Sequence, residues 1–151
     1  MSVLEHARIL IVDDDETIRK SLATVLKEKG CLIDTAESGR EAISKSEKDA
    51  YNLAFIDIRL PDMDGVQLLT AMKETTPKMV KIIITGYPSL QNAIEAVNRG
   101  ADGYIVKPIK MDELLTMITE HLKKQQEARK YTEEKVADFI ETRAKELDDR
   151  K

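Results

Sequence analysis

At 151 residues the chain has the length of one ordinary domain, enough for a full hydrophobic core. Its net charge of −4 argues against a broadly basic, nucleic-acid-binding surface. A single cysteine, Cys31, rules out an internal disulfide and suits a reducing, cytoplasmic setting, and no apolar run is long enough to span a bilayer.

The first strand is expected at Ile9–Val12, four aliphatic residues that run straight into Asp13, Asp14, Asp15 and Glu16. Asp15 and Glu16 suit the positive N-terminal end of a helix. That helix is outlined by Ile18, Leu22, Val25 and Leu26, with Gly30 as its stop. A mixed run, Cys31–Ala36, predicts a more polar second strand, fit for a sheet edge. Ala42, Ile43 and Ser46 mark a weaker helix after Gly39. Leu53–Ile56 predicts the third strand. Val66, Leu68, Leu69 and Met72 predict a helix opened by Asp64–Gly65 and closed before Pro77. Val80–Ile84, interrupted by Lys81, predicts the fourth strand. Ser89 is expected to cap a helix with Leu90, Ala93, Ile94 and Val97 inward and Gly100 at its end. Tyr104–Val106 predicts the last strand, and Asp112 is expected to cap a fifth helix through Leu114, Leu115, Ile118 and Leu122.

Five strands alternating with five helices read as βαβ units, hence an α/β fold with a doubly wound parallel sheet. In such sheets ligands sit beyond the carboxyl ends of the strands. Those ends carry Asp13–Asp14, Asp57, Thr85–Gly86 and Lys107–Pro108. Crowded carboxylates cannot all stay ionised unless a cation offsets their repulsion. Hard oxygen donors with room for water suit Mg²⁺.

With these segments in place, "LIVDDDE", "FIDIRLPDMDG", "IIITG" and "GYIVKP" together resemble the receiver domains of two-component response regulators, of the chemotaxis-regulator type. The resemblance covers roughly residues 7 to 122. It implies a flavodoxin-like strand order 2-1-3-4-5 and a phosphoprotein whose Asp57 accepts a phosphoryl group from a sensor histidine kinase. It also implies Mg²⁺ held by Asp13, Asp14, Asp57 and the backbone carbonyl of Arg59, with Asp13 acting mainly through a bound water. Thr85 would bind a phosphoryl oxygen and Lys107 would neutralise charge, placed over the site by a cis bond to Pro108. Gly86 would leave the approach open. Thr85 and Tyr104 would form the switch, Tyr104 turning inward as Thr85 moves, so that the fourth helix, fifth strand and fifth helix signal to a partner or output domain. Arg59 and Tyr87 lie where the family tunes its dephosphorylation rate and are expected to screen attacking water. On this reading the chain catalyses only its own phosphorylation and dephosphorylation and is not a conventional enzyme.

Other classes fit less well. A Mg²⁺-dependent phosphatase with an aspartyl nucleophile would want a second Asp two residues after Asp57, where Arg59 stands. A flavodoxin-like carrier would need a Ser/Thr/Gly-rich phosphate loop after the first strand, and the acids there would repel a flavin phosphate. A pseudo-receiver interaction module would have no reason to keep the whole acidic set. Asp62 and Asp64 read as loop and cap residues, Cys31 as a small buried hydrophobe, and His6 and His121 as lacking partner motifs.

Charge divides the chain near His121. Residues 1–120 hold 15 Lys+Arg and 20 Asp+Glu, whereas residues 121–151 hold 9 and 8 with no Gly or Pro. The expected organisation is a receiver over 1–122 and a charged helical extension over 123–151. Ala137, Ile140, Ala144 and Leu147 keep a 3-4-3 spacing, so the extension is a candidate dimer seam or signalling helix. It could equally continue the fifth helix into solvent, or restart at Thr132. No DNA-binding, cyclase or ATPase segment is expected within these residues, nor any membrane contact.

Overall fold

Alternate residues of an extended strand face opposite sides of a sheet, and here both sides are apolar. The computed structural model describes residues 2–149; Met1, Arg150 and Lys151, the outer ends of the two expected segments, lie outside the described residues. The elements are β1 (Arg8–Val12), α1 (Glu16–Glu28), β2 (Leu32–Ala36), α2 (Gly39–Lys48), β3 (Leu53–Asp57), α3 (Gly65–Ala71), β4 (Val80–Thr85), α4 (Leu90–Asn98), β5 (Gly103–Val106) and α5 (Met111–Asp149). The strands pair in parallel in the order β2-β1-β3-β4-β5. The polar second strand lies at an edge, as its composition predicts.

One face of the sheet presents Ile9, Ile11, Leu53, Phe55, Ile82 and Ile84 to Leu22 and Leu26 of α1 and to Leu114, Ile118 and Leu122 of α5. The other presents Leu10, Val12, Ala54, Ile56 and Ile83 to α2, α3 and α4. This double burial explains why β3 and β4 are buried along their whole length. Lys81, the interruption in β4, is buried too. Its Nζ donates to the Leu69 carbonyl at 2.5 Å, satisfying a free acceptor in the last turn of α3.

Local capping sets where the helices start. Asp15, Ser38, Asp64 and Ser89 cap α1, α2, α3 and α4, and Asp64 completes a capping box with Gln67. Asp112 does not cap α5: the helix starts at Met111, and Asp112 sits inside its first turn, where a negative charge still suits the helix end. The third helix ends at Ala71, well short of Pro77.

The fourth helix departs from the expectation. Leu90, Ile94 and Val97 are 79%, 51% and 70% exposed, and the buried residue is Ala96. Small side chains let α4 lie close to the sheet, and its larger apolar stripe turns outward. The fifth helix runs unbroken through Thr132, whose hydroxyl donates back to the Ala128 carbonyl instead of capping a new helix. From Gln126 to Asp148 every residue is exposed, including Tyr131, Val136, Phe139, Ile140 and Leu147. Gln125 marks where the helix leaves the body. Its Nε2 donates to the carbonyls of Asn52 and Lys78 at 2.9 and 2.8 Å, and its Oε1 accepts from Asn52 Nδ2. Among the described residues no helix is long and apolar enough to cross a membrane.

Candidate functional site

Four of the five strand ends deliver polar groups to the same rim. Asp13 follows β1 and is 2% exposed, Asp57 ends β3 at 7%, and Thr85 ends β4 at 1%. Asp14 lies beside them but faces solvent. Carboxylate oxygens of Asp13, Asp14 and Asp57 all lie within 4.8 Å of one another. Lys107, just after β5, reaches in with its Nζ 3.2 Å from Asp13 Oδ2 and 3.6 Å from Asp57 Oδ2. The Lys107–Pro108 peptide bond is cis, as the resemblance implies.

Electrostatics follow from this crowding. Burial, and then the charge on Asp13, push the Asp57 carboxyl up to about 6 against the opposing pull of Lys107. One ammonium cannot balance three carboxylates, so the rim carries a deficit of two positive charges. A divalent cation would fill that deficit. An octahedral Mg²⁺ shell at about 2.1 Å spans about 4.2 Å between opposite ligands. Oxygens of the three carboxylates lie within 4.8 Å of one another, within reach of such a shell directly or through a water at Asp13. The donor set therefore fits Mg²⁺.

Thr85 Oγ1 accepts a hydrogen bond from Tyr87 N at 3.0 Å, which leaves its own proton free to donate. The Arg59 guanidinium carbon stands 3.8 Å from the centroid of the Tyr87 ring. This cation–π pair joins the loops that follow β3 and β4. A Cβ at Gly86 would meet only Lys107 Cδ, at 3.8 Å, so the protein itself makes no demand for glycine there. At Gly65 it does: a Cβ would lie 2.2 Å from the Asp57 carbonyl oxygen.

Tyr104 packs against the core layer beneath α4, and its hydroxyl is already buried, with no hydrogen-bond partner. The inward turn expected on activation therefore has little distance left to cover from this position. Cys31 is buried, its thiol facing the Leu4 carbonyl.

Arg19 escaped the sequence reading. Its guanidinium is buried, donates to the Asp13 carbonyl at 2.7 Å and meets Glu37 Oε1 at 3.3 Å. The signal was present: a charged residue stands on the apolar stripe shared by Leu22, Ala23 and Leu26.

Comparison with known proteins agrees with this geometry. The family model for the response regulator receiver domain matches residues 9–119. The transcriptional regulatory protein ZraR of Klebsiella oxytoca is 34% identical over 118 residues, covering 78% of this chain and 27% of that protein. The transcriptional regulatory protein GlrR of Escherichia coli (strain K12) is 33% identical over 138 residues, covering 91% of this chain and 30% of that protein. The chain thus spans less than a third of the length of these curated relatives. Among solved structures, a CheY-like receiver domain protein from Methanospirillum hungatei JF-1 superposes with a TM-score of 0.78 at 42% identity, covering 82% of this chain and 99% of that one.

Proposed function

The chain belongs to the response regulator receiver domain family, and from that premise we propose that Asp57 is its phosphoacceptor, charged by a sensor histidine kinase. The observation that carries the proposal is the convergence of three carboxylates and the Lys107 ammonium beside the Thr85 hydroxyl at one sheet rim. In the transfer, a carboxylate oxygen of Asp57 forms a bond to phosphorus as the phosphorus–nitrogen bond of a phosphohistidine breaks, leaving an acyl phosphate. Asp13, Asp14, Asp57 and the Arg59 carbonyl would hold Mg²⁺, which when bound supplies neutralising charge to phosphoryl oxygens. Lys107 supplies a further positive charge beside Asp13 and Asp57. The Thr85 hydroxyl donates a hydrogen bond to a phosphoryl oxygen, and the loop after β4 follows.

Arg59 and Tyr87, stacked on each other in the loops after β3 and β4, restrict the approach of water to the acyl phosphate. Thr85 and Tyr104 then bias the surface of α4, β5 and α5, where Leu90, Ile94 and Val97 stand ready for a partner. The chemistry is confined to the chain's own phosphorylation and loss of phosphate, in a cytoplasmic setting. The match to GlrR extends past residue 122, and this supports reading α5 as the connection to an output segment, with a second copy of the chain as a further partner through the exposed stripe of α5.

Incubation with a small phosphodonor and Mg²⁺ tests the reading. Stoichiometric, base-labile phosphoryl label that is absent in Asp57→Asn is the expected result, with faster decay in Arg59→Ala and Tyr87→Ala. Multiple turnover of a foreign phosphoester with no stable label would replace the receiver by a phosphatase.

A further inference from the structure

The β3–α3 loop carries Arg59 and is held at two places. Its mouth is closed by Gly65 N donating to the Ile58 carbonyl at 2.7 Å and by an antiparallel bridge between Arg59 and Asp64. Its tip rests on another element. Asp62 Oδ1 accepts from Gly39 N at 2.8 Å and Oδ2 from Arg40 N at 2.9 Å, so each oxygen takes one of the first amides of α2. Met63 lies flat on the same spot: a Cβ on Gly39 would come within 2.4 Å of its Sδ.

These two bonds satisfy helix-start amides and at the same time tie the loop to α2. The second helix already has its own cap, Ser38, whose hydroxyl takes Glu41 N at 3.2 Å. Helices α1 and α3 are capped by the residue just before them. Among the described residues the second helix alone draws a carboxylate from a distant loop, and that loop is the one following Asp57, the proposed phosphoacceptor.

We propose that Asp62 is a positioning residue for the cation: by fastening the loop tip to α2, it fixes where the Arg59 backbone stands relative to the carboxylates. The proposal rests on the reading of the rim as a Mg²⁺ site. With mouth and tip both tied, Arg59 arrives in place before the ion does. With the tip released, binding the ion must also order the loop. The amides of Arg40 and Gly39 hold the Asp62 carboxyl below the usual carboxylate range, so the fastening is made by the charged form present at neutral pH.

The test uses the full chain with Asp62→Asn, which keeps one acceptor oxygen, and Asp62→Ala, which keeps none. Mg²⁺ affinity is read by titration of amide chemical shifts, with Gly39 and Arg40 as reporters of the joint. Affinity should fall in the order wild type, Asn, Ala, with a loss of about tenfold for Ala, the scale of removing an outer support of a metal ligand. Phosphorylation by a small donor should slow at limiting Mg²⁺ and return to the wild-type rate at saturation. Unchanged affinity in both variants overturns the proposal. So do equal losses in the two, which would report only the lost charge, and so does a rate deficit that saturating Mg²⁺ fails to restore. A wild-type chain that takes up no Mg²⁺ removes the underlying reading as well, whereas wild-type binding with unaltered variants removes this inference alone.

Discussion

Asp57 is an anion that the fold makes uncomfortable. Its carboxyl is pushed from the ordinary range to about 6, so the folded state prefers the protonated form more strongly than the unfolded chain does. The contribution to stability is complete below the ordinary carboxylate value near 4 and is lost as pH rises through about 6. Without metal, Asp57→Asn should therefore be more stable than wild type at pH 7, by on the order of 1–3 kcal/mol, and the advantage should vanish below pH of about 4. Urea unfolding in chelator at the two pH values measures this, and a constant difference would contradict it. The residues of this rim were legible because polar groups ended apolar runs at Val12, Ile56, Ile84 and Val106. The supports beneath them were less so. Asp62 reads as an ordinary loop acid until Gly39 and Arg40, 23 and 22 positions earlier, are seen beneath it. Arg19 reads as helix surface until the Asp13 carbonyl is found against it.

Elements differ in how much their pattern reveals. In β1 and β3 the apolar run is itself the signature of burial on both sides, and caps at Asp15, Ser89 and Asp64 mark helix starts by side-chain chemistry alone. The fourth helix shows the limit of the pattern. Its strongest apolar stripe, Leu90–Ile94–Val97, has the spacing of a core face but stands outward, while Ala96 makes the contact. A stripe records that a face is meant to be covered, not which body covers it. The structure therefore predicts an inversion of the usual size rule. Val97→Ala should change stability by less than about 0.5 kcal/mol, whereas Ala96→Leu should cost about 1–3 kcal/mol through overpacking. Thermal unfolding of the two variants checks it, and a larger loss at Val97 would mean that its exposed stripe is covered in solution.

At the scale of the whole molecule, the chain is a receiver body with a helix extending beyond it. The charge break near His121 was visible in composition, yet it coincides with no break in backbone, because no Gly or Pro stands between Leu114 and Asp148 to interrupt the helix. The body ends in energetic terms at the Gln125 hydrogen bonds. Removal of residues 134–151 should leave the melting midpoint of a dilute sample within about 2 °C of the full chain, since every residue described over 134–148 is exposed. If the exposed stripe of α5 pairs two copies, the full chain's midpoint should climb with protein concentration while that of the truncated chain stays level. Calorimetry across a concentration series, with the mass in solution measured alongside, decides both.

Continuity of α5 has a mechanical side. At about 1.5 Å per residue, the stretch from Gln125 to Asp149 is about 36 Å long. It is rooted in the same helix that packs Leu114 and Ile118 against the sheet. A tilt of about 5° at that root would sweep the far end through about 3 Å, the width of a hydrogen bond. Repacking too slight to register beside the acidic rim would thus arrive at the tip as a displacement large enough to make or break a contact: the rod works as a lever, with its fulcrum where Gln125 grips the floor of the sheet.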